Sequence, residues 1–367
     1  MKVLHLISGG DSGGARTHVL SLLRELNTTD AVRLLCLGDG PLARRAEELR
    51  LPCEVLEGGF AACAERVRRE VKAGGWQLLH CHGSRANLTG AVLKRRLGIP
   101  VISTVHSDHR LDYLARPAAR LVYGSLNSRA LRRMDALVCV SNAMAETYRQ
   151  RGFSRVYAIH NGVDFAAPRR EIPREERGGI WGLPISAEDI LIGAAARLDP
   201  VKDLGTLIRG FALARDPRGK LMIAGTGPEE RGLRRLAEEL GAADRVFFPG
   251  WVEDMEAFYA SLDVAALTSR SETFPYALLE AARYGLPVAA AAVGGVPELV
   301  EDGVHGFLIR PGDSEALARA LEALEGNEPL RRKMGSALRE KGAARFTAEA
   351  AAARQREIYE DILKNRG

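Results

Sequence analysis

Short runs rich in valine, isoleucine, leucine and cysteine alternate along the chain with longer segments whose apolar residues recur at helical spacing. This alternation is typical of a parallel sheet joined by crossover helices, and it occurs twice. The predicted strands of the first half are residues 2–7, 32–37, 76–81, 100–105, 136–140 and 155–160. Those of the second half are residues 190–195, 220–224, 246–248, 264–267 and 287–291. The pattern therefore predicts an α/β chain with two Rossmann-like domains.

One helix of the second half shows the periodicity clearly. Residues 204–214 place four apolar side chains on one stripe, and these are Leu204, Leu207, Ile208 and Phe211. Asp203 precedes the helix, and we expect it to act as the N-cap.

A charged stretch that is interrupted by proline and ended by glycines, residues 168–179, is the predicted linker between the halves. We therefore expect an N-terminal domain at 1–168 and a C-terminal domain at 169–347. Residues 348–367 form a predicted alanine-rich helix that could pack back on the first domain.

Length and composition support this division. A chain of 367 residues exceeds what one hydrophobic core usually serves. No window approaches the roughly 18 apolar residues of a membrane span, and the apolar start is too short for a signal peptide. The five cysteines lack CxxC spacing, which argues against a disulfide framework and a zinc ribbon. A cytoplasmic location is expected.

The charge is unevenly distributed. Residues 1–170 contain 26 Lys and Arg against 15 Asp and Glu, whereas residues 171–367 carry a net charge of −6. Aromatic residues make up only 6% and form no stacking platform, so no nucleic-acid partner is expected. The segment 110–133 interleaves apolar and basic residues. It suggests peripheral contact with an anionic membrane or with a lipid-diphosphate acceptor, and solvated helix faces are the open alternative.

Ligands of open parallel sheets bind beyond the carboxyl ends of the strands, so the loops after the predicted strands are the candidate sites. Residues 8–15 contain four glycines, among them Gly13 and Gly14, and can direct backbone amides at a diphosphate; an empty turn is the alternative. Arg197 and Lys202 precede a helix and suit phosphate oxygens, or else form a surface pair with Asp199 and Asp203.

The stretch 269–288 contains Glu272, Pro275 near a helix start, and Glu280 more than one turn into that helix. The two carboxylates are placed to bond hydroxyls at both ends of a sugar nucleotide. Two glutamates at this spacing are weak evidence alone, because an exposed helix shows them as readily.

This stretch, followed by residues 293–298 and 302–308, resembles the donor-site signature of the family 4 retaining glycosyltransferases. Further similarities cover nearly the whole chain: 196–202 resembles the phosphate-binding motif, 224–228 the glycine turn, 160–164 the interdomain strand end, and 103–108 the first-domain loop with its histidine. The resemblance implies the GT-B fold, in which two Rossmann-like domains face each other across a cleft.

The resemblance also implies residue roles. Glu280 would bind the ribose, Glu272 the donor sugar, and Arg197 with Lys202 the diphosphate, while His106 would lie near the anomeric centre. The remaining donor-binding positions implied in this way are Gly225, Phe248, Thr273, Phe274, Pro275 and Tyr276. Pro275 departs from the family, which often has glycine there, so an amide contact must come from Tyr276 or Ala277.

The implied reaction is transfer of a hexose-type sugar from a UDP- or GDP-sugar with retention, by front-face displacement, to a glycan or lipid-linked acceptor in cell-surface polysaccharide or glycolipid synthesis. No cofactor and no metal are expected, because His80, His82, His106 and His109 follow different strands without ligand spacing. The alternatives are a non-catalytic sugar-nucleotide scaffold, a nucleotide-sugar epimerase or a phosphorylase.

Overall fold

The computed structural model describes residues 1–11, 13–107 and 117–365, and only the backbone of 117–123. It divides into two compact units. The first contains Met1–Gly162 together with Ala348–Gly367, and the second contains Val163–Thr347. The boundary therefore falls after Gly162, and residues 163–168 belong to the second unit.

The first unit is built on a seven-stranded parallel sheet of order β3-β2-β1-β4-β5-β6-β7. Its strands are β1 (Lys2–Ile7), β2 (Ala31–Leu37), β3 (Cys53–Leu56), β4 (Leu78–His82), β5 (Val101–Val105), β6 (Ala136–Cys139) and β7 (Val156–Ala158). Its helices are α1 (Gly14–Leu26), α2 (Pro41–Glu48), α3 (Phe60–Gly74), α4 (Ser84–Leu97), α5 (Pro117–Leu131), α6 (Asn142–Gln150) and, at the end of the chain, α15 (Ala348–Lys364).

The second unit has a six-stranded sheet of order β10-β9-β8-β11-β12-β13, also parallel. Its strands are β8 (Ile190–Ala195), β9 (Gly219–Ala224), β10 (Val246–Gly250), β11 (Val264–Leu267), β12 (Val288–Ala291) and β13 (Gly306–Ile309). A 3₁₀ turn (Arg174–Glu176) precedes the helices α7 (Arg177–Trp181), α8 (Leu204–Leu213), α9 (Glu230–Glu239), α10 (Met255–Ser261), α11 (Tyr276–Tyr284), α12 (Val296–Leu299), α13 (Ser314–Glu325) and α14 (Glu328–Arg345).

The sheets explain the sequence pattern. Helices cover both faces of a parallel sheet, so its central strands are apolar on both sides and read as continuous runs. Every residue of β4, β5 and β12 is buried, which confirms the prediction of a two-sheet α/β fold. The pattern missed β3 and β13. Both are four-residue edge strands: β3 carries the polar Glu54 and shows no continuous apolar run, whereas β13 is apolar but short and partly exposed.

The last helix, α15, belongs to the first unit although the second unit precedes it in the chain. Its apolar face joins the core beneath β1 through Ile358, Tyr359 and Ile362, each at most 1% exposed. The Tyr157 hydroxyl also donates a hydrogen bond to Asp361 on this helix. Burial of three large side chains of this kind contributes several kcal/mol, on the order of 1.5–3 kcal/mol each.

The stretch predicted as a linker, residues 168–179, is held by ion pairs within the second unit. Arg174 and the buried Arg177 both bind Asp263, at 2.7 and 2.9 Å. Arg174 also donates to the carbonyl oxygens of Ala187 and Asp189. The composition predicts a charged turn here, and two of its arginines, Arg174 and Arg177, bind a buried carboxylate, while the other charged side chains are exposed.

Asp203 stands at the N-cap position of α8, but the capping prediction was wrong. Its backbone is left-handed, with φ of 46°, and its side chain makes no capping bond. The carboxylate instead accepts a hydrogen bond from Nε of Arg270 at 3.2 Å. The left-handed conformation directs the side chain away from the first turn of the helix.

Much of the positive charge of the first unit is paired locally. The ion pairs on its helices include Arg44–Asp39, Arg45–Glu48, Arg66–Glu54, Arg68–Glu65, Arg69–Glu65 and Lys94–Asp135. Much of the segment 110–133 lies outside the described residues. Within the part of the chain that the structure describes, no helix is long and apolar enough to cross a bilayer.

Candidate functional site

In the second unit, the predicted donor residues lie on loops that follow the strands of the sheet. Arg197 and Lys202 follow β8, Gly225 follows β9, and Glu272 follows β11. Phe248 lies within β10, where the guanidinium of Arg234 covers its ring at 4.7 Å. Because the strands are parallel, these loops lie at one edge of the sheet.

The structure brings Lys202 and Glu272 together. Nζ of Lys202 lies 2.7 Å from Oε1 of Glu272, and the Ser269 hydroxyl donates to the same oxygen at 2.6 Å. The side chain of Glu272 is only 10% exposed and that of Lys202 23%. Lys202 and Ser269 thus orient the carboxylate of Glu272 through one of its two oxygens. Ser269 was not predicted, although it lies within the motif.

Two glycines allow the loops of this edge to approach one another. A Cβ at Gly294, where φ is +52°, would lie 1.7 Å from the carbonyl oxygen of Glu272. The neighbouring Gly295 N–H donates to the carbonyl of Thr273 at 2.9 Å. A Cβ at Gly225 would lie 1.9 Å from the carbonyl oxygen of Ala196. Backbone contact therefore sets the position of Glu272 and of the loop that carries Arg197.

Arg197 is an exposed cation at this edge of the sheet. Its side chain is 76% exposed and pairs with Asp199 at 2.9 Å. The sequence left open a pairing of Arg197 and Lys202 with Asp199 and Asp203. In the structure Arg197 does bind Asp199, whereas Lys202 binds Glu272 and Asp203 binds Arg270. An exposed guanidinium held by one carboxylate can turn toward an anionic ligand at little cost.

Helix α11 begins directly after Pro275, which occupies its N-cap with φ of −74°. The ring of Phe274 is 1% exposed and packs on Phe346 with centroids 5.1 Å apart, so this side chain belongs to the core. Tyr276 and Thr273 are partly buried. A donor contact at Phe274 would have to use its backbone.

Glu280 lies one turn into α11 and is partly buried. Desolvation raises the pKa of this carboxyl to about 7, against the effects of Tyr259 and Arg283. The same surroundings raise the pKa of Tyr259, by burial first and by the Glu280 charge second. A ligand that donates hydrogen bonds to this carboxylate would stabilise its ionised form and lower its pKa.

In the first unit, the glycine loop leads from β1 into α1. Gly13 is the N-cap of α1 and Gly14 its first residue, and a Cβ at Gly13 would meet nothing within 4 Å. Gly9 has a different role, because a Cβ there would lie 1.9 Å from the carbonyl oxygen of Gly38. The loop is therefore closely packed at Gly9 and has open space at Gly13. Open space of this kind would allow a ligand to approach the backbone.

His106 follows β5 and belongs to a cluster of imidazoles. Its Nε2 lies 3.1 Å from Nδ1 of His82, and the ring of His18 meets it edge-on with centroids 4.9 Å apart. His18 is on α1, one turn after Gly14. The structure thus brings His106 and the start of α1 to the same edge of the first sheet.

The cluster continues into the core. Nε2 of His82 lies 3.1 Å from Nδ1 of His5, and strand pairing sets His5 beside His80. His80 bonds the hydroxyls of Tyr359 at 2.6 Å and Thr104 at 2.7 Å. His5, His80 and His82 are at most 1% exposed. The sequence did not single out His5, His18 or Tyr359, because they become neighbours only through strand order and the return of α15.

Burial keeps these imidazoles neutral. It lowers the pKa of His5 to about 3 and that of His18 to about 4, and it lowers the pKa of His80, His82 and His106 well below the usual value. The ligand nitrogens of His5, His80 and His82 lie within 4.8 Å of one another, which is compatible with a metal ion. Both ring nitrogens of each already take part in hydrogen bonds, and this favours the packing role that the sequence suggested for His80 and His82. His109 lies outside the described residues.

Two family descriptions match the chain. Glycosyl transferases group 1 matches residues 180–341, and Glycosyltransferase Family 4 matches residues 12–167. Curated relatives include a D-inositol 3-phosphate glycosyltransferase 2 of Catenulispora acidiphila, 31% identical over 99% of this chain and 93% of the relative. A D-inositol 3-phosphate glycosyltransferase of Salinispora tropica is 30% identical over 88% of this chain and 75% of the relative.

Solved structures show the same fold at lower identity. Anabaena HepE in complex with UDP and glucose matches with a TM-score of 0.86 and 24% identity, over 98% of this chain and 100% of that chain. Sucrose-phosphate synthase from Thermosynechococcus elongatus matches with a TM-score of 0.83 and 22% identity, over 99% of this chain and 100% of that chain.

Proposed function

Because this chain belongs to the family 4 glycosyltransferases, we propose that it transfers a hexose-type sugar from a nucleotide-diphosphate donor with retention of configuration and without a metal ion. UDP is the first choice of nucleotide, since Anabaena HepE has been solved with UDP and with UDP-glucose. GDP is the second.

The observation that carries this proposal is the arrangement around Glu272. A carboxylate oriented by Lys202 and Ser269 suits the hydroxyls of a sugar ring, which donate hydrogen bonds. The ammonium of Lys202 supplies positive charge beside it, and Arg197 adds a second cation in the same loop after β8. Glu280, whose pKa is raised to about 7 by burial, would accept hydrogen bonds from the ribose.

We assign positional roles to the two glutamates. In a retaining glycosidase two carboxylates face each other across the scissile bond at roughly 5–5.5 Å. Here Glu272 is already paired with a cation, and Glu280 belongs to a helix that follows it. In front-face displacement the leaving phosphate takes the proton of the acceptor hydroxyl, and Arg197 and Lys202 would stabilise the growing phosphate charge. His106 would face the donor sugar.

The acceptor that we propose is a glycan or a lipid-linked sugar of cell-surface polysaccharide or glycolipid synthesis. A phosphorylated cyclitol is the second candidate, because relatives that match nearly the whole chain are named for D-inositol 3-phosphate. Membrane contact is a minor part of the proposal, since many helix cations of the first unit are paired with acids.

Calorimetry of UDP, GDP and uridine with Arg197→Ala and Lys202→Ala tests the diphosphate assignment. Each variant should weaken nucleoside-diphosphate binding by about 1.5–3 kcal/mol, the scale of a hydrogen bond to a charged group, and leave uridine binding unchanged. We expect the larger loss in Lys202→Ala, because Glu272 would then face the phosphates unpaired.

Arg319→Ala, an exposed arginine on α13, is the matched control. Unchanged diphosphate affinity in both site variants would remove the assignment. Release of UDP from UDP-glucose, measured with D-inositol 3-phosphate or with lipid extracts, then ranks the acceptors. Slow release without any acceptor would exclude a silent scaffold, and the absence of epimerised donor would exclude an epimerase.

A further inference from the structure

A cavity of about 620 Å³ lies between α8 and α9 in the second unit. The loop before α8, the two helices and the loop after β11 line it. Its lining does not include Arg197, Lys202, Glu272 or Glu280, the residues of the proposed donor site. Cavities of roughly 300–1,000 Å³ are typical of small-molecule sites. The cavity is therefore a candidate for a second ligand.

Four guanidinium groups line this cavity, and they belong to Arg209, Arg231, Arg235 and Arg270. All four residues are exposed. Arg270 is paired with Asp203 at 3.2 Å, whereas the other three arginines form no ion pair with a described residue. Residues 171–367 carry a net charge of −6, so a group of unpaired cations is a local exception in this unit. Guanidinium groups bind phosphate through strong charge-assisted hydrogen bonds.

The side chain of Arg209 lies against the first turn of its own helix. A Cβ at Gly205 would lie 3.1 Å from Nη1 of Arg209 and 3.7 Å from Cδ2 of Leu236 on α9. Because Gly205 has no side chain, this guanidinium can lie over the backbone at the start of α8. The charge of Arg209 is thus held at the cavity, between the two helices.

The start of α8 is itself suited to an anion. Asp203 stands at the N-cap position of this ten-residue helix, but no side chain caps it. The left-handed backbone of Asp203 costs about 1–2 kcal/mol for a residue other than glycine, and its carboxylate accepts from Arg270 instead. The first N–H groups of a helix carry partial positive charge and bind phosphates. An anion in the cavity could contact this helix start and the guanidinium of Arg209 together.

Carboxylates also line the cavity, and they restrict the kind of anion that fits. Glu229, directly before α9, is one of them. Desolvation, and then the charges of Asp199 and Asp203, raise the pKa of Glu229. A hydroxyl group that donates a hydrogen bond to this carboxylate would stabilise its ionised form. A bare anion offers no such donor, whereas a phosphorylated polyol offers both a phosphate and hydroxyl groups.

We propose that this cavity binds a phosphorylated polyol, with the phosphate on the start of α8 and the unpaired arginines and with hydroxyl groups donating to Glu229. A phosphate has enough oxygens to bind two guanidinium groups and the helix start at once. The site is separate from the donor site and does not depend on the proposed function. It lies beside the donor site, because Arg270 and Glu272 belong to the same loop.

Calorimetry of the full chain with glucose 6-phosphate, inorganic phosphate and glucose tests the site. Glucose 6-phosphate should bind with a stoichiometry of one, inorganic phosphate about tenfold more weakly, and glucose not at all over the same concentrations. Arg209→Ala and Arg235→Ala should each weaken glucose 6-phosphate binding about tenfold or more, the scale of a hydrogen bond to a charged group. Arg234→Ala is the matched control on α9, because Arg234 is paired with Glu230 and does not line the cavity.

Glu229→Gln separates the polyol from the phosphate. This change should weaken glucose 6-phosphate binding about fivefold, since the hydroxyl groups lose a charged acceptor. Binding of inorganic phosphate should stay unchanged or become tighter, because the variant removes a negative charge. A general loss of folding would weaken both ligands, so the opposite responses identify the contact with the hydroxyl groups.

Two further titrations distinguish this cavity from the donor site. Glucose 6-phosphate should bind with native affinity to Arg197→Ala and to the native chain saturated with UDP. Displacement by UDP, or a loss in Arg197→Ala equal to that in Arg235→Ala, would overturn the proposal, as would native affinity in both Arg209→Ala and Arg235→Ala or no binding to the native chain. Equal affinities for glucose 6-phosphate and phosphate would overturn the choice of a polyol. No sugar transfer is measured, so failure of the proposed function would be seen separately, as missing turnover.

Discussion

The carboxyl ends of the two sheets carry different polar groups, although both sheets follow one strand order. At the first, neutral imidazoles bond one another and extend into the core as far as Tyr359. At the second, ionised groups stay close to the surface, where Lys202 binds Glu272 and Arg197 binds Asp199.

The difference follows from what each group loses on burial. An imidazole can donate and accept while neutral, so a buried network of imidazoles can form hydrogen bonds without charge. A buried charge costs several kcal/mol unless a partner compensates it. At the carboxyl end of the second sheet, Arg197, Lys202 and Arg270 are accordingly exposed or paired with a carboxylate. One architecture thus supports two kinds of site. We call the carboxyl end of the first sheet, with His5, His80, His82 and His106, the neutral edge, and that of the second, with Arg197, Lys202 and Glu272, the charged edge.

The largest expected effect comes from a substitution that disturbs the backbone contact behind Glu272. Gly294→Ala places a Cβ 1.7 Å from the carbonyl oxygen of Glu272 in a left-handed conformation. We expect a loss of about 3–4 kcal/mol in unfolding free energy, the upper range for backbone clashes, together with loss of transfer.

Gly312→Ala is the control for Gly294→Ala, because Gly312 also has a positive φ, +82°, but a Cβ there meets nothing within 4 Å. It should cost only about 1 kcal/mol. Thermal unfolding of the two variants measures the difference. Equal losses would mean that backbone strain, and not the contact with Glu272, governs this turn.

The second prediction separates the two carboxylates of the charged edge. Glu272→Gln should lower transfer about a hundredfold, the scale of one preorganised electrostatic contact, with UDP affinity little changed. Glu280→Ala should weaken both UDP binding and transfer, because Glu280 is assigned to the ribose. Calorimetry and initial rates provide the comparison, and an identical loss of UDP affinity in both variants would contradict the assignment.

The smallest expected effect concerns pH, to which the units should respond in opposite directions. Burial raises the pKa of Glu325 in the second unit from 4.5 to about 7, and neither of its oxygens has a hydrogen-bond partner among the described residues. Ionisation of Glu325 is less favourable in the folded than in the unfolded chain. The free energy of unfolding therefore falls as pH rises from about 4.5 to 7. Burial lowers the pKa of His5 and His18 in the first unit, so the unfolded chain binds protons at these residues before the folded chain does. Their contribution to the free energy of unfolding is therefore lost as pH falls below about 6.5.

Glu325→Gln tests this sign. The variant should gain about 1–2 kcal/mol over the native chain at pH 8 and little at pH 5, as the ionisation penalty disappears. Scanning calorimetry at both values, with the exposed Glu315→Gln as control, measures the shift. A gain that is equal at the two pH values would show that shape rather than charge is responsible.

Sequence patterns alone determined the α/β class, both sheets and the loops of the charged edge. The reason is local: covered parallel strands are continuous apolar runs, and the motif from Glu272 to Glu280 places both carboxylates within one loop and helix. The predicted strands at residues 2–7, 190–195 and 264–267 coincide with those of the structure. Two edge strands, β3 and β13, escaped prediction, whereas the edge strands β7 and β10 were predicted.

The tertiary structure alone decided what surrounds these residues. Lys202 was predicted to bind phosphate, and its pairing with Glu272, 70 positions away, arises because β8 and β11 are neighbours. His5, His82 and Tyr359 form one network because β1 lies beside β4 and α15 returns to the first unit. Strand order and the return of a helix depend on long-range packing, which no local pattern of residues encodes, and so the neutral edge was visible only once the chain was folded.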